Sequence, residues 1–250
     1  MAYNSILPRA DKVTRVVMMG PCHRIGVVGL ALPSKRAFST PLGLVPIDAD
    51  ATAKIIKLDQ VRVFDDTHKD DHALEVHLPF LQTTLNDFSI VPLIVGQTEI
   101  DEVAEVLEIL WGGEETLILI SSDLSHYKSY EQAQKIDAET CLAIEKLDNL
   151  PLGNQQACGR HSINGLIKVA RDRGLEVTTS DLRNSGDTAG SKNKVVGYGS
   201  WLFSEPQVKK QIREIKRVDD RAEDKFGSST KAILDQYGNP DNPDSHEEGT

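Results

Sequence analysis

Apolar residues in this chain fall into short β-branched runs that alternate with stretches of helical spacing. Val13 to Met19 reads as a buried strand stopping at a Gly20-Pro21 turn, and Val27 to Leu32 as a second run closed by Pro33. Asp48 to Leu58 starts acidic and sets Ala51, Ile55 and Leu58 on one face, as a helix does. A short strand is expected at Val61 to Phe64. Asp70 to Val76 should open a helix that Pro79 breaks or restarts, because the residue before a proline disfavours α geometry. Phe88 to Val95 predicts a strand, Glu99 to Trp111 an amphipathic helix ended by Gly112-Gly113, and Thr116 to Ile120 the most convincing buried strand. Two long helices follow, Glu131 to Leu147 and Gly159 to Arg173, the second stopped by Gly174. Leu175 to Thr179 and Lys194 to Phe203 close the pattern as strands.

This alternation implies an α/β fold, a mainly parallel sheet with helices on both faces. One domain is expected over residues 1–204. In the remaining 205–250, Gln207 to Lys225 is highly charged, with Val208, Ile212, Ile215, Val218 and Ala222 at helical spacing. Gly238 to Thr250 is rich in Asn, Pro, Asp, Glu and Gly and reads as disordered.

Composition narrows the partners. The 250 residues carry a formal net charge of −10 and a pI near 5.2, which argues against nucleic acid or an anionic membrane as the main partner. No apolar stretch approaches the ~20 residues of a membrane span, and the first ten residues lack the apolar core of a secretory signal. Three cysteines without framework spacing point to a reduced compartment. A soluble, cytoplasmic protein is the expectation; oligomeric state is left open.

Chemistry concentrates in four polar clusters: Gly20-Pro21-Cys22-His23, Asp71 to Pro79, Ser121 to His126, and Cys158-Gly159-Arg160-His161. Two of them directly follow runs that read as strands, where α/β proteins build ligand crevices. His23 sits just past one strand end, either facing that crevice or half-exposed on a plain β-turn. Cys158 precedes a helix N-terminus, where free N–H groups favour thiolate. With His161 one turn on, it suits a metal ligand, an activated nucleophile or a simple cap. Asp123 can orient an imidazole, act as a base or cap a turn, and His126 can move protons or orient substrate. His72 and Glu75 share a helix face at i, i+3 as candidate pocket residues, whereas His77 falls on the Leu74, Leu78, Leu81 stripe and reads as structural. No Walker loop, Gly-x-Gly-x-x-Gly turn or paired Cys-x-x-Cys occurs, so ATP, dinucleotide and zinc-finger readings lack support.

In this order, the clusters resemble the motifs of the Memo family, including the Memo-like proteins called AmmeMemoRadiSam system protein B. Gly-Pro-Cys-His parallels that family's Gly-Pro-Ser-His, and Asp-His-Ala-Leu-Glu-Val-His-Leu-Pro-Phe its Glu-His-Ser-Ile-Glu-Met-His-Leu-Pro-Tyr. Ser-Ser-Asp-Leu-Ser-His and Cys-Gly-Arg-His match closely as well. The likeness spans roughly Val13 to Phe203. It implies a three-layer sandwich like that of class III extradiol dioxygenases, which use non-haem iron. It also implies a pocket with His23 and Cys158 as ligands of a divalent transition metal (iron or copper, with zinc possible) and Asp123 and His126 handling protons. The family's early Pro-His-Ala-Gly segment has no counterpart here. The expectation is therefore a fold lacking the first βα unit and one ligand, with an exposed sheet edge or gap, and a metal site that has lost affinity. Two functions follow: a metal-dependent pocket with a redox role, or a non-catalytic protein using the crevice for a small molecule or peptide. Covalent catalysis by Cys158 is a third and needs a depressed thiol pKa.

Overall fold

The computed structural model describes residues 2–188 and 190–206. The body of the protein gathers the described residues up to Arg173 and Val177–Phe203. The expected charged helix from Gln207 and the tail beyond it lie outside the described residues.

A short helix α1 (Ala2–Ile6) leads through a 3₁₀ turn to β1 (Arg15–Pro21), β2 (Leu30–Leu32), the hairpin β3 (Ala37–Thr40) and β4 (Gly43–Pro46), and α2 (Ala49–Ile55). Then come β5 (Val61–Val63), α3 (Leu78–Thr84), β6 (Ser89–Val95), α4 (Ile100–Leu110), β7 (Thr116–Ile120), β8 (His126–Lys128), α5 (Tyr130–Glu145), α6 (Arg160–Asp172), β9 (Glu176–Asn184) and β10 (Val195–Ser204). The central sheet has the order β5-β2-β6-β1-β7. All its pairs are parallel except β2 with β6. A second sheet, β8-β10-β9, continues from the loop after β7.

Strand alternation sorts the core into two layers. Val17, Met19, Val91 and Leu93 face α2, α4 and α6, which supply Ala51, Ile55, Val103, Leu107, Leu166 and Val169. Val16, Met18, Ile90 and Ile94 face the other way, onto Leu78 and Leu81 of α3, Val45 of the hairpin and Tyr3 and Ile6 of α1. The mixed α/β architecture with a mainly parallel sheet is thus as the apolar pattern predicts. The ends of α2 and α4 are also local in origin. Asp48 caps α2 by accepting from the Ala51 N–H at 2.8 Å, and Glu99 with Glu102 forms a capping box at α4.

Three expectations need correction. The strand does not stop at Gly20-Pro21 but continues through Pro21, which stands in register with Val95. No helix opens at Asp70. That residue has φ 59°, a left-handed conformation, and the chain turns until a 3₁₀ segment at Glu75–His77. Pro79 then lies in the first turn of α3, where its missing N–H costs nothing. Thr116 to Ile120 is not fully buried, because β7 is the sheet's edge and all five of its residues are only half-covered. Its side chains still pack both ways, Ile118 and Ile120 on one core layer, Leu117 and Leu119 on the other.

Two histidines are built into the packing. His68 donates from Nε2 to the Ala31 carbonyl at 3.0 Å and meets Phe38 edge-on. His77 accepts from the Tyr3 hydroxyl at 2.6 Å, and burial pushes that phenol up to about 12. The structural role read for His77 fits this contact. Burial pushes both imidazoles below their usual value, against smaller opposing effects of the Ala31 carbonyl and nearby carboxylates. The unfolded chain therefore takes up protons that the folded one refuses. Stability from this source is present above about pH 6.5 and is lost as pH falls toward the folded values. A melting temperature followed from about pH 7.5 to 5 should drop, and a His68→Gln/His77→Gln double variant should show a flatter profile. Equal slopes in both proteins would refute the assignment.

No helix among the described residues is long and apolar enough to cross a membrane. Cys22, Cys141 and Cys158 are all free thiols.

Candidate functional site

The carboxyl end of β1 delivers His23, and a close approach of chains determines what backs it. A Cβ on Gly20 would sit 2.9 Å from both the Ala73 Cβ and the Leu74 Cδ2, so only glycine lets the Asp71–Leu74 turn lie on this strand. That turn places the Asp71 side chain, only 1% exposed, beneath the histidine. Asp71 accepts the His23 backbone N–H at 2.8 Å through Oδ2. Its Oδ1 faces His23 Nδ1 at 3.1 Å and accepts the Ala73 N–H at 3.2 Å. The imidazole itself is 49% exposed.

The loop after β7 supplies the opposite wall. Asp123 Oδ2 and His126 Nε2 stand 3.7 Å apart, an ion-pair spacing rather than a hydrogen bond. Burial raises the Asp123 carboxyl, and the charges of His126 and His23 pull it partly back, so all three groups share one electrostatic neighbourhood. Tyr198 of β10 adjoins them; burial raises its phenol and the Asp123 charge raises it further.

Cys158 lies where the sequence puts it, before α6 with Gly159 as N-cap. Its sulfur accepts the Asp123 N–H at 3.2 Å, and the Ser122 hydroxyl is 3.7 Å away. Ser122 also accepts the Gly159 N–H at 2.9 Å and donates to the Asp123 carbonyl at 2.7 Å. A Cβ on Gly159 would fall 2.6 Å from the Ser121 carbonyl oxygen, so the loop and the helix start touch backbone to backbone. The expected thiolate is not favoured. Burial pushes the Cys158 thiol up, the Asp123 charge adds to that, and hydrogen bonds from Asp123, Ser122 and Gly159 oppose it without prevailing. Covalent catalysis by Cys158, which needs a depressed thiol pKa, draws no support from this direction.

Four sequence candidates, His23, Asp123, His126 and Cys158, thus converge at the strand ends. The other three turn elsewhere. His72 and Glu75 pair with each other at 2.6 Å, the imidazole 72% exposed. His161 is hydrogen-bonded to the backbone of Thr98, and burial pushes its imidazole down, Arg160 adding to the effect. Two residues that support the cluster carry no role in the sequence reading. Asp71 lies inside a quoted motif, where its histidine and glutamate neighbours look more chemical. Asp137 of α5, buried, accepts the Ser125 N–H at 3.0 Å and feels the charge of His126. One signal for it is present: an aspartate at i, i+4 from Ala133 and Cys141, both buried.

This is an α/β protein with a polar cluster at the carboxyl ends of parallel strands, its residues drawn from four separated motifs. The family model for Memo-like proteins matches residues 1–202, and the chain belongs to that family. It is similar to a MEMO1 family protein of Methanosarcina mazei, 31% identical over 211 residues, covering 78% of this chain and 76% of the relative. It is 33% identical to one from Aquifex aeolicus over 215 residues, covering 79% and 78%. A third, from Thermoplasma acidophilum, is 34% identical over 194 residues, covering 74% and 72%.

Proposed function

We propose that this Memo-family chain is a binding protein whose strand-end crevice takes a small polar molecule or the end of a peptide. His23, Asp123, His126 and the neutral Cys158 thiol are its recognition groups. The observation that carries the reading is their mutual arrangement. They share one neighbourhood, yet among the described residues no three His, Cys, Asp or Glu side chains converge closely enough to hold a metal ion. Two donors of the family's metal set, His23 and Cys158, therefore do not fit an ion by themselves. The non-haem iron architecture of extradiol dioxygenases, with its redox chemistry, is on this reading the ancestry of the crevice rather than its present work.

The test combines metal analysis with binding. Protein purified without oxygen, as wild type, His23→Ala and Cys158→Ser, is expected to hold no stoichiometric iron, copper or zinc. In excess chelator, a fragment panel of amines and alcohols screened by ligand-observed NMR should give hits for wild type. Those hits should vanish with His23→Gln or Asp123→Asn. Near-stoichiometric metal in wild type that disappears in Cys158→Ser would overturn the proposal in favour of a metal-dependent pocket.

A further inference from the structure

We infer that Asp71 is a positioning residue that locks His23 in one tautomer and so dictates what the crevice accepts. At His23, ligands must bring a hydrogen-bond donor (a hydroxyl, amine or ammonium group) and cannot bring a bare acceptor. The location of the contact rests on the binding reading above; the tautomer does not.

Three N–H groups address the two oxygens of one buried carboxylate: His23 N at 2.8 Å, Ala73 N at 3.2 Å and His23 Nδ1 at 3.1 Å. Both oxygens already accept backbone N–H bonds, so the carboxylate is an acceptor throughout, and the ring nitrogen facing it carries the proton. A neutral imidazole has one N–H and one lone pair, so the lone pair falls on Nε2. Nε2 is the far nitrogen of a ring left half-exposed. A ligand group at Nε2 meets an acceptor. A hydroxyl or ammonium satisfies it, whereas a carbonyl or ether oxygen there meets only a lone pair.

Asp71→Asn breaks the pattern with little change of volume. The amide has one oxygen for three N–H groups. With that oxygen kept on the shortest partner, the His23 N–H, the NH₂ group faces Nδ1, which becomes the acceptor. The ring proton then moves to Nε2. Asp71→Glu keeps an acceptor-only group and should keep the native tautomer.

Histidine-labelled protein, metal-free and at one pH where the ring is neutral, is compared by nitrogen NMR, with His23→Gln identifying the His23 signals. Wild type and Asp71→Glu are expected in the Nδ1–H form and Asp71→Asn in the Nε2–H form. Diethyl pyrocarbonate acylates the unprotonated ring nitrogen and gives a second reading. Mass spectrometry of the His23 peptide should show modification slowed about tenfold in Asp71→Asn, the scale expected for loss of a charge-assisted hydrogen bond. An Nε2–H ring in wild type overturns the inference even if no variant folds, as does a folded Asp71→Asn protein with the wild-type tautomer. If the tautomer shifts as described while the fragment panel finds no donor ligands, the binding proposal fails and the role of Asp71 stands.

Discussion

Gly165→Leu is expected to cost about 3 kcal/mol or more of stability, the upper range for overpacking a core. Gly165 lies in α6 where that helix crosses α4. A Cβ there would fall 2.4 Å from Val103 Cγ1 and 2.6 Å from Val103 Cβ, and Val103 is fully buried. Neither neighbour can step aside. Val103 stands on a helix pinned to the sheet, and α6 holds Leu166 and Val169 in the same layer. A leucine must therefore push the helices apart and open apolar surface along the seam. Against a total of roughly 5–15 kcal/mol for a domain, that loss is a large share. The urea midpoint reads it directly. Gly165→Ala is the graded control, setting up to ~1 kcal/mol of helix propensity against a smaller clash. A leucine variant with the wild-type midpoint would show that α4 and α6 do not meet here.

The second large effect belongs to Asp137. Removing its carboxylate in Asp137→Ala strips the buried Ser125 N–H of its acceptor and leaves a void against Gly197, where a Cβ would come within 2.0 Å of Asp137 Oδ2. An unsatisfied buried donor costs about 1–3 kcal/mol, and the void adds to it. The consequence should not be confined to stability. Ser125 adjoins His126, so the loop carrying that imidazole loses its tether to α5. The expected result is a lowered melting temperature together with weakened binding of any fragment that contacts Asp123 or His126. Asp137→Asn keeps an acceptor oxygen and should recover most of both. An alanine variant that melts lower yet binds unchanged would confine Asp137 to a packing role.

How far the fold could be read in advance depended on the range of the forces. β1, β6 and α4 were legible because their signals are local: unbroken apolar runs, a capping box, a glycine stop. The β3–β4 hairpin and the three-residue β8 were not anticipated, since neither has a run long enough to stand out. Thr116 to Ile120 was legible as a strand but not as an edge, because nothing in five residues says how many neighbours they will find. At the site, motif order brought His23, Asp123, His126 and Cys158 forward as a group, and they lie together at the strand ends. Asp71 was masked by its neighbours, and the surroundings of the Cys158 thiol were not legible. The helix terminus that favours a thiolate is visible in sequence, whereas the burial that outweighs it is made by a loop 35 residues upstream.

The two motif glycines also set the terms on which this crevice could be moved into another scaffold. Copying the four reactive side chains onto new strands would reproduce their spacing on paper and little of their behaviour. Gly159 rests on the main chain of Ser121, and Gly20 lies bare against the side chains of Ala73 and Leu74. The portable unit is thus a pair of close approaches that only glycine permits, and a transplanted site should be designed from those contacts outward.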